Sequence, residues 1–331
     1  MLAASLPALL APAAKAPASV KTALSRGVTE VNELGAVPIL EYHLIGRPEG
    51  PWRRTPENFR RDLAMLYGMG YRPVRLLDYI AGRIDIPAGT SPLILTFDDS
   101  SEGQFRAVMV DGHPQPDPDS AVGMIEEFAR THPDFKARAS FYVLPGIGKR
   151  LALFGQPELR AWKLNYLVKH AYELGNHTLW HQNLAKAQPQ DVAKQLAEAQ
   201  KAIWEYVPGY QLQSLSLPFG AWPSRRELVF SGSFEGVSYR NRAVLLVGAG
   251  PAPAPADRSF NPNALPRIQA GDGVFGPEQT LLRIQRGRFG RYISDGKPDV
   301  LSIPTALAGR LKPRLPGSSN HSVVFFVPLR D

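Results

Sequence analysis

The segment Leu93–Ser100, with the sequence LILTFDDS, constrains the fold of this chain more than any other stretch. Its apolar and β-branched residues are typical of a strand that is buried on both faces. The apolar run ends abruptly in two adjacent carboxylates, Asp98 and Asp99. A buried strand that ends in acids indicates a functional site at the carboxyl end of a sheet.

A second polar segment, NHTLWH at 176–181, contains two histidines four residues apart, His177 and His181. Their side chains share one face if the segment is helical or tightly turned. One carboxylate and two imidazoles make three protein ligands, the number that a catalytic zinc uses while keeping a position for water. The other carboxylate could then take a proton from that water. A redox iron centre uses the same ligand set, but the second carboxylate favours hydrolysis.

Strand-like and helix-like segments alternate along the chain, which indicates an α/β protein with a parallel sheet. About seven or eight such units favour a closed barrel over an open sheet. In these barrels the chemistry lies at the carboxyl ends of the strands, where both motifs fall. The clearest amphipathic helix is predicted at 189–207. The long polar stretch 100–119 is predicted to be a functional loop near the site.

Composition limits the chemistry and the partners. The 331-residue chain has no cysteine, so a tightly bound metal must be held by His, Asp or Glu. A net charge of +8 favours acidic partners such as nucleic acid, anionic lipid or an acidic wall polymer. The densest basic run, Arg283–Arg291, has no nucleic-acid motif beside it, so we expect a solvated segment and no nucleic-acid partner. The oligomeric state is left open.

The chain is divided into a tail at 1–34 and one catalytic barrel at 35–331. The tail is rich in Ala, Pro and Leu and is interpreted as a possible remnant of a secretory signal. We therefore expect an extracytoplasmic or secreted protein. No apolar run reaches the ~18 residues needed to cross a bilayer, so no transmembrane segment is expected.

The two motifs resemble those of the polysaccharide deacetylases of carbohydrate esterase family 4. TFDDS at 96–100 is similar to the first motif of the family, in which glycine more often stands at the position of Ser100. HTLWH at 177–181 matches the second motif, and VPILEYH at 37–43 is similar to the strand that opens many members. The resemblance covers roughly residues 35–220 and implies a distorted (β/α) barrel of about seven units.

The resemblance also implies roles for individual residues. Asp98 would be the general base. The metal ligands would be Asp99, His177 and His181. Zinc is the expected ion, with cobalt, nickel or iron as alternatives. Water on the metal would attack an acetyl carbonyl, and the backbone N–H of Phe219 would help the metal to stabilise the oxyanion.

The chain departs from the family pattern in two places. The third motif usually reads R-x-P-[FY]-G, but Ser216 stands where its arginine, which orients the base, is expected. We predict that Arg267 takes over this task, the alternative being a surface arginine. The histidine acid of the fifth motif has no clear match. His43 follows the first strand and is predicted to lie at the site as a replacement.

Three functions are consistent with these residues. The first is a metal-dependent hydrolase that removes acetyl groups from an N-acetylated glycan, such as peptidoglycan or a chitin-like polymer. The second is an O-acetyl esterase acting on a xylan-type glycan. The third is a catalytically weak glycan-binding protein, which Ser216 and the missing fifth motif suggest.

Overall fold

A computed structural model describes residues 31–146, 152–272, 276–287, 290–315 and 322–326. Most of the predicted tail, residues 1–30, therefore lies outside the described residues. Within the described ranges, no helix has both the length and the apolar character needed to cross a membrane.

Seven parallel strands close into a ring in which each strand pairs with the next one along the chain, and the last pairs with the first. The strands are β1 (Ile39–Tyr42), β2 (Ser91–Phe97), β3 (Ser140–Val143), β4 (Glu173–Asn176), β5 (Ser214–Ser216), β6 (Ala243–Ala249) and β7 (Leu265–Gln269). An additional strand, Tyr71–Pro73, pairs with the start of β2. The predicted α/β fold, a (β/α) barrel of about seven units, is confirmed.

In the part of the chain that the structure describes, six α-helices accompany the barrel strands. They are α1 (Pro56–Gly68), α2 (Leu76–Ile80), α3 (Ala121–Thr131), α4 (Arg160–Lys169), α5 (Pro189–Trp204) and α6 (Pro277–Arg286). Helix α1 begins where the Thr55 side chain accepts a hydrogen bond from Asn58 N, and its first residue is proline. Helix α5 lies within the segment that was predicted to be an amphipathic helix, and it buries Val192, Leu196 and Ile203.

Short strand pairs decorate the barrel at Leu44–Ile45 with Arg53–Arg54, Ala107–Val110 with His113–Pro116, Ser231–Phe234 with Val237–Arg240, and Val300–Pro304 with Ser322–Phe326. The second pair shows that the stretch 100–119 is not an irregular loop, as the sequence suggested. It folds into an antiparallel hairpin. The interpretation was wrong because the strands of this hairpin are largely exposed and carry no apolar alternation.

The strand register brings the chemically active residues to one end of the barrel. Tyr42 of β1 lies opposite Phe97 of β2, and Asn176 of β4 lies opposite Leu215 of β5. Because the strands are parallel, the residues that follow each of them emerge at the same mouth. The aspartates after β2 and the histidines after β4 therefore meet although they are far apart in sequence.

Candidate functional site

Asp99, His177 and His181 form a cluster at the barrel mouth. Asp99 Oδ1 lies 3.3 Å from His177 Nε2 and 3.6 Å from His181 Nε2. All three ligand atoms lie within 4.8 Å of one another, close enough for one ion to bridge them. His177 is buried, whereas His181 and Asp99 are partly exposed, so the cluster is open on one side. This openness is what a catalytic metal site requires.

The hydrogen bonding of His177 leaves one nitrogen free for a metal ion. Its Nδ1 lies 2.8 Å from the carbonyl oxygen of Ser216, which can only accept, so Nδ1 carries the proton. Nε2 is buried and, among the described residues, has no hydrogen-bond partner. An unpaired buried nitrogen that faces a carboxylate fits a metal ligand. The three residues therefore fit a divalent cation.

The electrostatics of the cluster agree with this assignment. Burial alone would lower the pKa of His177, but the neighbouring carboxylates of Asp98 and Asp99 raise it overall. Burial lowers the pKa of His181, and His177 adds to the effect. A field that attracts a proton to one imidazole also attracts a cation, which competes with that proton for the nitrogen.

A tight turn, rather than a helix, brings the two histidines together. Thr178 and His181 have positive φ angles of 67° and 54°. Asn176 Oδ1 accepts a hydrogen bond from Thr178 N at 2.8 Å, and its amide nitrogen donates to Leu196 O on α5. The imidazole centroids are consequently 4.9 Å apart.

Asp98 lies beside this cluster and is held by Arg267. The guanidinium donates two hydrogen bonds of 2.8 Å, one to each carboxylate oxygen, and Ser216 Oγ donates a third, also of 2.8 Å. Burial would raise the pKa of Asp98, but Arg267, with His177, holds it well below its usual range. Asp98 is thus a buried, ionised carboxylate whose Oδ2 lies 3.9 Å from His177 Nε2.

Arg267 therefore lies where its predicted role needs it. The side chain is fully buried, which rules out the alternative of a surface arginine. Its Nη2 also donates to Ser216 Oγ at 2.9 Å. The small serine at the end of β5 thus leaves room for a guanidinium that arrives from β7.

Glu41 belongs to the same network and was missed by the sequence reasoning. Its Oε1 accepts a hydrogen bond of 2.9 Å from Arg267 Nη2, and its Oε2 accepts one from Gly248 N. Burial raises the pKa of Glu41 although Arg267 opposes the shift. A glutamate inside the apolar strand VPILEYH was the available signal, because carboxylates are seldom fully buried without a partner.

His43 and Phe219 both lie at the mouth, as predicted. His43 Nε2 is 3.8 Å from Glu41 Oε1. Ligand atoms of Glu41, His43 and Asp98 also lie within 4.8 Å of one another, but the guanidinium of Arg267 already pairs with both carboxylates and would repel a cation. This second cluster is therefore a poor cation site. Phe219, with a φ of 59°, packs its ring edge-to-face against His181 at 4.6 Å between centroids.

Comparison with known proteins finds similarity to polysaccharide deacetylases. A family model described as polysaccharide deacetylase matches residues 86–230, which include both motifs and the segment around Phe219. A curated chitooligosaccharide deacetylase of Sinorhizobium fredii is 24% identical over 149 residues. That alignment covers 45% of this chain and 56% of the relative, so the chain spans just over half of the relative's length.

Two solved structures share the fold. The Streptococcus pyogenes deacetylase PplD in complex with acetate superposes with a TM-score of 0.55 and 17% identity, covering 75% of this chain and 98% of that one. IcaB from Ammonifex degensii gives a TM-score of 0.51 and 16% identity, covering 74% and 95%. These likenesses support the barrel architecture.

Proposed function

We propose that the chain hydrolyses acetyl groups from an N-acetylated glycan with the help of a divalent metal, a proposal that the polysaccharide deacetylase model matching residues 86–230 supports. The observation that carries the proposal is the buried, arginine-held carboxylate of Asp98 beside the three candidate ligands. The nature of this set, one carboxylate and two imidazoles, suits zinc, with cobalt, nickel or iron as alternatives.

The metal would be held by Asp99, His177 and His181. When bound, such an ion activates water and polarises the acetyl carbonyl. Asp98 is the general base, because Arg267 keeps it ionised and both oxygens are fixed in direction. Its burial excludes bulk water, which strengthens the electrostatic interactions inside the site.

The remaining roles belong to His43 and Phe219. The leaving amine needs a proton, and His43 is the imidazole next to the Asp98–Arg267–Glu41 network. Phe219 N–H, at the turn after β5, is the candidate donor to the oxyanion. Each of these two roles can be tested by a single substitution.

The substrate is proposed to be a peptidoglycan-like or chitin-like polymer. The net charge of +8 suits an anionic wall polymer. The composition of residues 1–34 supports an extracytoplasmic location, where such polymers are found. Esterase action on O-acetylated xylan would use the same groups. A purely binding protein is less well supported, because Arg267 supplies the guanidinium that Ser216 lacks.

The test combines metal content with acetate release, for the wild type and for a His177→Ala, His181→Ala double variant. We expect about one divalent ion per chain in the wild type, and loss of both the ion and the activity in the variant. Asp98→Asn should keep the ion and release acetate about 10²–10⁴-fold more slowly. Absence of binding after reconstitution with zinc would refute the metal site, and acetate from acetylated xylan alone would select the esterase.

A further inference from the structure

The exposed aromatic side chains of the described residues are concentrated at the barrel mouth. Among the described residues, four aromatic side chains are largely exposed: Trp52, Trp180, Phe219 and Phe325. The first three follow β1, β4 and β5 at the carboxyl ends of the strands, whereas Phe325 lies in the last described strand. Exposure of large rings costs solvation free energy, so their grouping around one opening indicates a binding surface.

Trp52 lies in a segment whose backbone is held by hydrogen bonds. Its carbonyl oxygen accepts a hydrogen bond from Leu44 N at 3.0 Å, and the neighbouring Pro51 oxygen accepts one from Gln269 Nε2 at 2.7 Å. Two residues further on, the buried Arg54 donates two hydrogen bonds to Asp62 on α1. The indole is 46% exposed even though the backbone around it is fixed on both sides.

Trp52 and Phe219 lie on different sides of the metal-binding cluster. The Trp52 ring packs against the imidazole of His43 after β1, with centroids 4.7 Å apart. The Phe219 ring packs against the imidazole of His181, 4.6 Å away, from the turn after β5. Strands β1 and β5 are three positions apart in the seven-membered ring, close to the maximum separation.

We propose that Trp52 forms a sugar-binding subsite opposite Phe219, so that the substrate is an internal sugar of a glycan chain. This inference rests on the proposed function and assigns to Trp52 the contact with a sugar of the glycan chain. A pyranose ring presents an apolar C–H face that packs on an aromatic ring. The fixed loop means that little conformational entropy is lost when a sugar binds to Trp52.

The measurement is deacetylation of a length series from N-acetylglucosamine to penta-N-acetylchitopentaose, with zinc-reconstituted protein. For Trp52→Ala we expect KM for the pentamer to rise about tenfold or more, with a smaller effect on kcat. Trp52→Phe should restore most of the affinity, because it keeps an aromatic face. The matched control is Phe325→Ala, which removes an exposed ring of the strand Ser322–Phe326, outside the seven-stranded ring, and should leave KM unchanged.

Comparing the effects of Trp52→Ala on KM and on kcat distinguishes a sugar-binding subsite from an indirect effect of Trp52 on His43. If Trp52→Ala lowered kcat equally for all chain lengths and left KM alone, Trp52 would only position His43, and the subsite would be refuted. An unchanged KM and kcat in Trp52→Ala would refute it as well, while wild-type acetate release would leave the proposed function standing. If the wild type released no acetate from any member of the series, the proposed function and the subsite would fail together.

Discussion

Arg267 contacts both carboxylate oxygens of Asp98 at 2.8 Å, although the two residues are 169 positions apart in the chain. In the third motif of the polysaccharide deacetylases the arginine precedes the Pro-Phe-Gly segment, where this chain has Ser216. The same charge thus reaches Asp98 from another strand of the barrel. Barrel mouths permit such an exchange because all strand ends converge on one place.

Replacing Arg267 by lysine should reduce acetate release about 100-fold, the scale of losing one preorganised donor. Lysine keeps the charge but cannot form the two parallel hydrogen bonds that fix both oxygens of Asp98. Acetate release at saturating substrate is the measurement. Metal content is the control and should stay at the wild-type level, because Arg267 is not a ligand. Near-wild-type activity would mean that only the charge matters.

Moving the arginine from position 267 on β7 to position 216 on β5 tests whether activity requires the guanidinium to come from β7. Arg267→Ser should be nearly inactive, and Ser216→Arg should also be impaired because it crowds two guanidinium groups around one carboxylate. In the double variant we expect at least about tenfold more activity than in Arg267→Ser. Because Ser216→Arg alone is also impaired, the coupling energy between the two sites should then exceed about 1.4 kcal/mol. Additive losses in this double-mutant cycle would show that β5 cannot present the guanidinium to Asp98.

Glu41 should tolerate glutamine far better than alanine. Glu41→Gln keeps an acceptor for Arg267, and we expect the free energy of unfolding to change by about 1 kcal/mol. Glu41→Ala leaves part of a buried guanidinium without a partner and should cost about 3–5 kcal/mol. Urea unfolding measures both. Equal destabilisation by the two substitutions would show that the negative charge, and not the hydrogen bond, is needed.

The main features of the site were predictable because they depend on local patterns. An apolar strand that ends in Asp98 and Asp99, and a histidine pair after another strand, must meet if the sheet is parallel and closed. The exposed hairpin at 107–116 gave no such pattern, since its residues have little apolar alternation. It was therefore interpreted as a loop.

The Glu41–Arg267 contact could not be predicted in the same way. These residues are 226 positions apart, and their pairing depends on which side chains point into the barrel. Strand VPILEYH is buried at every position from Ile39 to Tyr42, so it carries no alternation that would assign an inward face. Only the register between β1 and β7, with Glu41 opposite Gln269, fixes the distance.

Glu33, remote in sequence from the candidate metal ligands, makes the stability of the fold depend on pH. Its carboxylate accepts hydrogen bonds from Ser302 N and Asp295 N, yet burial raises its pKa from 4.5 to about 7. The folded state therefore binds a proton more tightly than the unfolded state. The protonation of Glu33 therefore contributes about 3 kcal/mol to the free energy of unfolding. This contribution is fully present below pH 4.5 and is lost as the pH rises through 7.

Urea unfolding of the wild type and of Glu33→Gln between pH 4.5 and 7.5 measures this effect. The wild type should lose more stability across the range than the variant, because glutamine does not ionise. Glutamine turns one acceptor oxygen into an NH₂ group near Ser302 or Asp295, so the variant should be less stable at every pH. The proteins are therefore compared by the slope of the free energy of unfolding against pH. The exposed Glu205→Gln is the matched control and should keep the wild-type slope. Parallel slopes for all three proteins would mean that Glu33 is ionised in the folded state throughout this range.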